Sequence, residues 1–373
     1  MPGRKIPRLP RDQSRLINNE VVQGRHIPHV LLDHVSSLRD LSYAKQLSEF
    51  SSRYRSQTFD LDKEYNYVYN FCYDLLTSTQ GKPIADALQV SKRLELMMQN
   101  QDWEYEYRDH FIHSFQDFLL GAVILEHNYK EFKKWYSDRL CKDPRTSVDA
   151  SWLLASIFHD RTRPLEQRDW LGEEQGVSIK VTIDLEDEYL RNLASLYEHL
   201  RTGKKPHKWY WRYGSFRSFN KECYDVLAKY SKQQNHGVLS AMTLLKRVSQ
   251  TYSGVIPPHS AVAALAIATH DRKPRNDFLD MGVLPLRIDK FPISCLLLYC
   301  DAAQEWGRPH SGASDETRLS RIDLGLNSVH CDVSFVESKR AIDKLKECTS
   351  VRKCIQSSRL RLSLGSCVMM AQP

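Results

Sequence analysis

Apolar side chains recur every three or four positions along much of the chain, the period of an α-helix with one buried face. The pattern begins near His34 and is clear over residues 65–76, 84–98 and 111–125. It returns over 152–158, 237–248, 261–268 and 293–306. Gly81-Lys82-Pro83 separates two of these segments, because Gly and Pro both interrupt a helix. Period-two alternation is rarer. It predicts short strands over 179–185, 328–335 and 359–364, with a helix over 341–354 between the last two. The expected fold is therefore mainly α: a helical bundle over residues 31–310 and a small α+β appendage over 311–373. Residues 1–30, rich in Pro, Arg and Asn and without period, read as a loose arm. No internal repeat is visible.

Composition adds limits. The chain has 373 residues, 41% hydrophobic and 10% aromatic, which excludes disorder throughout. Its nine cysteines are odd in number, and no two have C-x-x-C spacing. They read as reduced thiols rather than zinc ligands or a disulfide framework. Neither a secretory signal nor a run of about 18 apolar residues is present. A cytoplasmic protein without a membrane span is the expectation.

The net charge of +7 is mild for this length and does not itself argue for nucleic acid. Much of the excess lies in residues 201–221, with seven Lys/Arg and no acid. Six aromatics interleave them: Trp209, Tyr210, Trp211, Tyr213, Phe216 and Phe219. Cations among aromatics suit a nucleotide or single-stranded nucleic acid, through phosphate pairing and base stacking. A solvated basic loop whose aromatics pack back on the core fits the pattern as well.

The chemistry-bearing residues sit on the apolar helices. His110 and His113 open the first, His159-Asp160 end the second, and His236 opens the third. His270-Asp271 end the fourth, and Asp301 lies in the fifth. A buried imidazole or carboxylate is costly unless it is paired or bound to a metal. One such histidine is more often a satisfied core residue than a ligand. Five successive helices carrying such groups point to a shared divalent ion: iron, manganese, zinc or magnesium. Neighbouring residues on a helix point about 100° apart, so His159 and Asp160 converge most easily at a helix end. Arg161-Thr162-Arg163-Pro164 supplies that end.

In the order His113, His159-Asp160, Asp301, the chain resembles the HD-domain superfamily of metal-dependent phosphohydrolases. His236 and His270 match the two histidines that two-metal members add between the His-Asp pair and the last Asp. The resemblance covers roughly residues 100–310. The spacing from His-Asp to the next His is longer than usual in the family, so residues from about 165 to 232 read as an insertion. The resemblance implies an HD-type helical bundle with two divalent ions. His113, His159 and Asp301 would complete one site, and His236 and His270 the other. Asp160 would bridge the ions or orient the attacking water. The implied reaction is hydrolysis of a phosphoester of a nucleotide or other small phosphorylated substrate. A non-catalytic ligand-sensing or scaffold module and a di-iron oxygenase on the same frame are the alternatives.

Three further residues carry alternatives. His110 shares a face with His113 and reads either as a proton donor to the leaving oxygen or as a surface histidine. Arg163 reads as a phosphate contact or as a surface arginine. His259 competes with His270 as a ligand, but lies eleven residues away, about 16 Å along a continuous helix. His270 is the preferred ligand, and Asp271 is expected to be solvated or to support a ligand from behind.

Overall fold

The computed structural model of the chain describes residues 27–59, 61–99, 110–140, 144–163, 187–203, 211–212, 219–304, 318–325, 328–335, 355–356 and 361–368. Among them run thirteen helices, and the chain is mainly α-helical. The first seven are α1 (His29–Ser36), α2 (Ala44–Arg55), α3 (Leu61–Gln80), α4 (Lys82–Gln99), α5 (His110–His127), α6 (Tyr129–Arg139) and α7 (Pro144–Phe158). Then follow α8 (Asp187–Thr202), α9 (Lys221–Lys232), α10 (His236–Thr251), α11 (Pro258–His270), α12 (Arg272–Asp280) and α13 (Pro292–Ala303).

Local chemistry sets the ends of the helices that matter most. Pro258 and Pro292 stand in the first turn of α11 and α13, where a missing N–H costs nothing. Asn220, Asn235 and Asp271 cap α9, α10 and α12, accepting from the backbone N–H of Cys223, Val238 and Lys273 at 2.7, 3.3 and 3.3 Å.

Two helices are buried on every side. Residues 111–125 of α5 and 260–270 of α11 are all buried, so each runs through the core and packs on several neighbours. α11 lies against α7, α10 and α13, and α5 lies against α7. The α5–α7 contact is close. A Cβ on Gly121 would stand 1.8 Å from the Trp152 ring, whose Nε1 donates to the Phe118 carbonyl at 3.0 Å. Glycine at this position lets the indole lie across α5.

Several boundaries differ from expectation. Ile27, inside the expected arm, is buried, and α1 begins at His29. The helix expected over 293–306 ends at Ala303, and Gln304 turns to extended backbone with ψ 112°. Within the expected insertion, α8 and α9 pack on each other, α8 also on α11 and α9 on α12. Their polar faces hid them: α8 pairs Arg191 with Asp187 and Arg201 with Glu198 on its surface.

Strands are short. β1 (Trp211–Arg212) pairs antiparallel with β2 (Val255–Ile256), and β3 (Leu286–Arg287) pairs parallel with β6 (Ile355–Gln356). β4 (Arg318–Gly325), β5 (Ser328–Phe335) and β7 (Arg361–Val368) form a mixed sheet in the order β4-β5-β7. β4 and β5 are antiparallel with a register shift between Leu319 and Arg321, and β5 and β7 are parallel. β4 lies against α1. The strand expected over 179–185 and the helix expected over 341–354 lie outside the described residues.

Among the described residues, no helix is long and apolar enough to cross a membrane. Cys72, Cys223, Cys295, Cys300 and Cys331 are buried and form no disulfide. Burial raises the pKa of the Cys72, Cys223 and Cys300 thiols, which keeps them protonated and unreactive.

Candidate metal centre

Five helices bring their ends or first turns to one place. His113 stands in the first turn of α5, with Asp117 one turn on. His159 and Asp160 follow the last residue of α7. His236 opens α10, His270 closes α11, and Asp301 lies in the last turn of α13. The turn after α7 is pinned to α10. Thr162 donates its N–H to Ser240 Oγ at 3.1 Å and its hydroxyl to the His236 carbonyl at 2.8 Å. That contact sets Asp160 beside His236. Gly237 brings α10 onto α11, since a Cβ there would stand 3.0 Å from the Ile267 carbonyl and 3.2 Å from the His270 ring.

Asp160 divides the cluster. Its Oδ2 faces His113 Nε2 at 3.9 Å and His159 Nε2 at 3.8 Å. Its Oδ1 faces His236 Nε2 at 3.2 Å and His270 Nε2 at 3.6 Å. Each oxygen thus addresses one pair of imidazoles.

The first half is rich in donors. His113 Nε2 lies 3.1 Å from Asp301 Oδ1 and 3.3 Å from Asp117 Oδ2. His159 Nε2 lies 3.6 Å from the same Asp117 oxygen. The ligand atoms of His113, Asp117, His159 and Asp301 all fall within 4.8 Å of one another. His159 and Asp117 are fully buried. His113 Nδ1 donates to Gln304 Oε1, and Gln304 Nε2 donates in turn to Gln116 Oε1. This chain holds the His113 ring with Nε2 inward. Burial acts upward on the Asp301 carboxyl, but the contact with His113 and the nearby imidazoles outweighs it. The group lies well below the usual carboxylate range.

His159 has the most telling environment. Its Nδ1 donates to the Ser156 carbonyl at 2.7 Å, which fixes the tautomer. Burial, partly offset by Asp160, lowers its pKa to about 3, so the ring is neutral. Nε2 therefore carries a bare lone pair, and it has no hydrogen-bond partner. It points at carboxylate oxygens of Asp117 and Asp160. Acceptors face acceptors around a gap that a cation would fill. The donor set also fits a cation chemically: imidazoles and carboxylates suit a borderline or hard divalent ion. These buried His and Asp groups could hold a metal ion.

The second half is built differently. His270 Nδ1 donates to the Ile267 carbonyl at 2.6 Å, as His159 does to its own helix end, and Nε2 again faces Asp160. The ligand atoms of His159, Asp160 and His270 fall within 4.8 Å of one another. His236 has a carboxylate behind it, Asp271 Oδ2 at 3.4 Å from Nδ1. Asp271 is buried and accepts from Asn235 Nδ2. It follows His270 in sequence but supports His236 in space, and it is not solvated. Arg163 Nη1 also reaches the ring, 2.9 Å from Nδ1 and 3.3 Å from Nε2.

The structure thus gathers His113, His159, Asp160, His236, His270 and Asp301, with Arg163 on His236. His110 is the first residue of α5, and its side chain lies outside the described residues. His259 sits in the first turn of the continuous helix α11, at the opposite end from His270, and does not join the cluster. Sequence reasoning passed over Asp117, Gln304 and Gln116. The signal for Asp117 was present, an acid four residues after His113 inside an otherwise apolar run. Asp160 and Asp301 have side chains 12% and 23% exposed, against 0–2% for the four histidines. The cluster is therefore reached from the Asp160–Asp301 side. The chain matches no protein-family model, no curated protein and no solved structure, so the reading of the site rests on its own geometry.

Proposed function

We propose that the chain is a metal-dependent phosphohydrolase of the HD type. Its substrate would be a phosphoester of a nucleotide or another small phosphorylated compound. The observation that carries the reading is the bare Nε2 of His159, neutral, buried and without a hydrogen-bond partner, aimed at two carboxyl groups. Its order of residues, His113, His159-Asp160, His236, His270 and Asp301, is that of the two-metal members of the superfamily.

Bound divalent ions would lower the pKa of water toward neutrality and act as Lewis acids on a phosphoryl oxygen. The chain's own residues do the rest. His113, Asp117, His159 and Asp301 would hold one ion, while His236 and His270 would hold the second. Asp160, with one oxygen toward each histidine pair, would serve both sites and accept a hydrogen bond from the attacking water. Arg163 is partly exposed and offers a guanidinium to phosphoryl oxygens. The buried histidines keep bulk water out behind the reacting group, which strengthens each of these electrostatic contacts. The basic aromatic segment 201–221 would add base stacking and phosphate pairing. Two of its cations are paired, Arg201 with Glu198 and Lys221 with Asp225, and most of the segment lies outside the described residues.

The test is metal analysis of the purified chain together with hydrolysis of a generic phosphoester and of nucleotides. Stoichiometric divalent metal and hydrolysis, both lost in His159→Ala and Asp160→Ala, are expected. A chain without metal, whose hydrolysis these changes leave alone, would overturn the reading. Dioxygen consumption by the ferrous form without hydrolysis would assign the oxygenase chemistry instead.

A further inference from the structure

We infer that Arg163 stands in for the second cation. Its guanidinium keeps the His236–His270 half of the cluster closed to a divalent ion until an anionic phosphoryl group draws it away. The inference rests on the metal-centre reading above and concerns the order in which the two halves fill.

Charge and position both argue for it. In the first half, Asp117 and Asp301 together supply two negative charges, the balance of one divalent ion. In the second half, Asp160 and Asp271 also supply two, but Arg163 is already there. Its Nη1 lies 2.9 and 3.3 Å from the two ring nitrogens of His236, whose Nε2 faces Asp160 and whose Nδ1 faces Asp271. A second guanidinium sits close by: Arg275 is buried and donates Nη2 to the His270 carbonyl at 2.8 Å. An ion bound to His236 at about 2.1 Å would lie within about 5.5 Å of Arg163 Nη1, where like charges in a largely dry site repel strongly. The half therefore already carries positive charge beside the place where the second ion would stand.

Arg163 is partly exposed, whereas the histidines it stands beside are buried, and it follows the pinned Thr162 directly. A phosphoryl group entering from the Asp160–Asp301 side would compete for the guanidinium with a bidentate anion, the stronger partner. The arginine that binds the phosphate would thereby release His236. Substrate and second ion would then bind cooperatively, and the half would fill only when there is something to hydrolyse.

The experiment is a manganese titration of the metal-free full chain, read by calorimetry and by the spin-coupled signal of a manganese pair. The wild type should bind one ion tightly and a second at least about tenfold more weakly, the usual size of such couplings. Excess inorganic phosphate should tighten the second ion and bring up the coupled signal. Arg163→Gln should tighten the second ion to the same degree without phosphate, and Arg163→Lys should behave as the wild type. Two ions of equal affinity in the wild type would overturn the inference, as would a second affinity that neither phosphate nor Arg163→Gln alters. In those outcomes the metal-centre reading stands. A chain that binds no manganese at all would remove both.

Discussion

Asp160 looks both ways, and the two groups of side chains it faces have little in common beyond their histidines. On one side, four ligand atoms from α5, α7 and α13 close to within 4.8 Å of one another, and the imidazole of His113 is braced through Gln304 to Gln116. On the other side, two histidines share one Asp160 oxygen, and an arginine approaches His236. Desolvation explains why the difference matters. A buried carboxylate is expensive unless it is paired or bound to a cation, so the proposed function asks more of an ion in the first half than in the second, where a guanidinium already stands. On that proposal the halves should differ in affinity, in dependence on phosphate and in what supports them.

The largest effect should come from Asp117→Asn. Four-donor protein sites hold zinc with about 10–16 kcal/mol, so losing one donor should cost about 3 kcal/mol, or on the order of 100-fold in affinity. Calorimetric titration should show the tighter ion weakened and the second much less so. In a chelator the same variant should be at least as stable as the wild type, because the new amide can donate to the bare Nε2 of His159. A variant that unfolds in chelator but binds its ion normally would make Asp117 a structural residue.

Gly237→Ala probes the other half. The added methyl meets the Ile267 carbonyl at 3.0 Å and the His270 ring at 3.2 Å, so α10 must shift by a few tenths of an ångström. A loss of about 1.5 kcal/mol in thermal stability is expected from crowding of this kind. The second ion should weaken while the first is unchanged. Equal weakening of both would mean that the halves are mechanically one unit.

How much of this was legible in the sequence depends on the helix. The largely buried α5, α11 and α13 announced themselves as apolar runs, and their histidines and acids stood out against that background. The same all-round burial hid Asp117: with every face of α5 buried, periodicity cannot say which side meets α7 and α13. Gln304 was hidden by a boundary, since its contact with His113 exists only because α13 stops at Ala303 and the backbone turns extended. Asp271 had two open roles, solvated or supporting a ligand, because adjacency in sequence says nothing about which helix packs across. The polar-faced helices α6, α8 and α9 were not singled out, because charged and polar residues dominate their composition. Convergence of five helix ends is a tertiary fact that no local pattern encodes.

Asp271→Asn should have a smaller effect. A carboxylate behind a metal-binding histidine raises its basicity and holds its tautomer, and loss of such a partner costs about tenfold in affinity. Only the second ion should respond, in the same titration. A response of the first ion would show that Asp271 acts through α11 and His270, not through His236.

The smallest effect separates two histidines that each bury Nε2 but differ in role. His259, like His159, has a buried Nε2 without a hydrogen-bond partner, and burial lowers its pKa to about 4. No carboxylate of the cluster faces it, and its carbonyl, accepting from Ser151 at 2.9 Å, is its described polar contact. The sign of its pH dependence follows from the depressed value. The unfolded chain takes up a proton near the ordinary 6.5, but folded His259 does not until about 4. Stability is therefore lost as pH falls from 6.5, and the loss stops growing near 4. Between pH 6.5 and 5.5 the cost is about 1 kcal/mol. His259→Gln should remove this part of the acid sensitivity in chemical denaturation of the chelated chain, and leave both ion affinities untouched. If His259→Gln weakens an ion instead, α11 transmits strain along its length to His270, and the two ends of that helix are not independent.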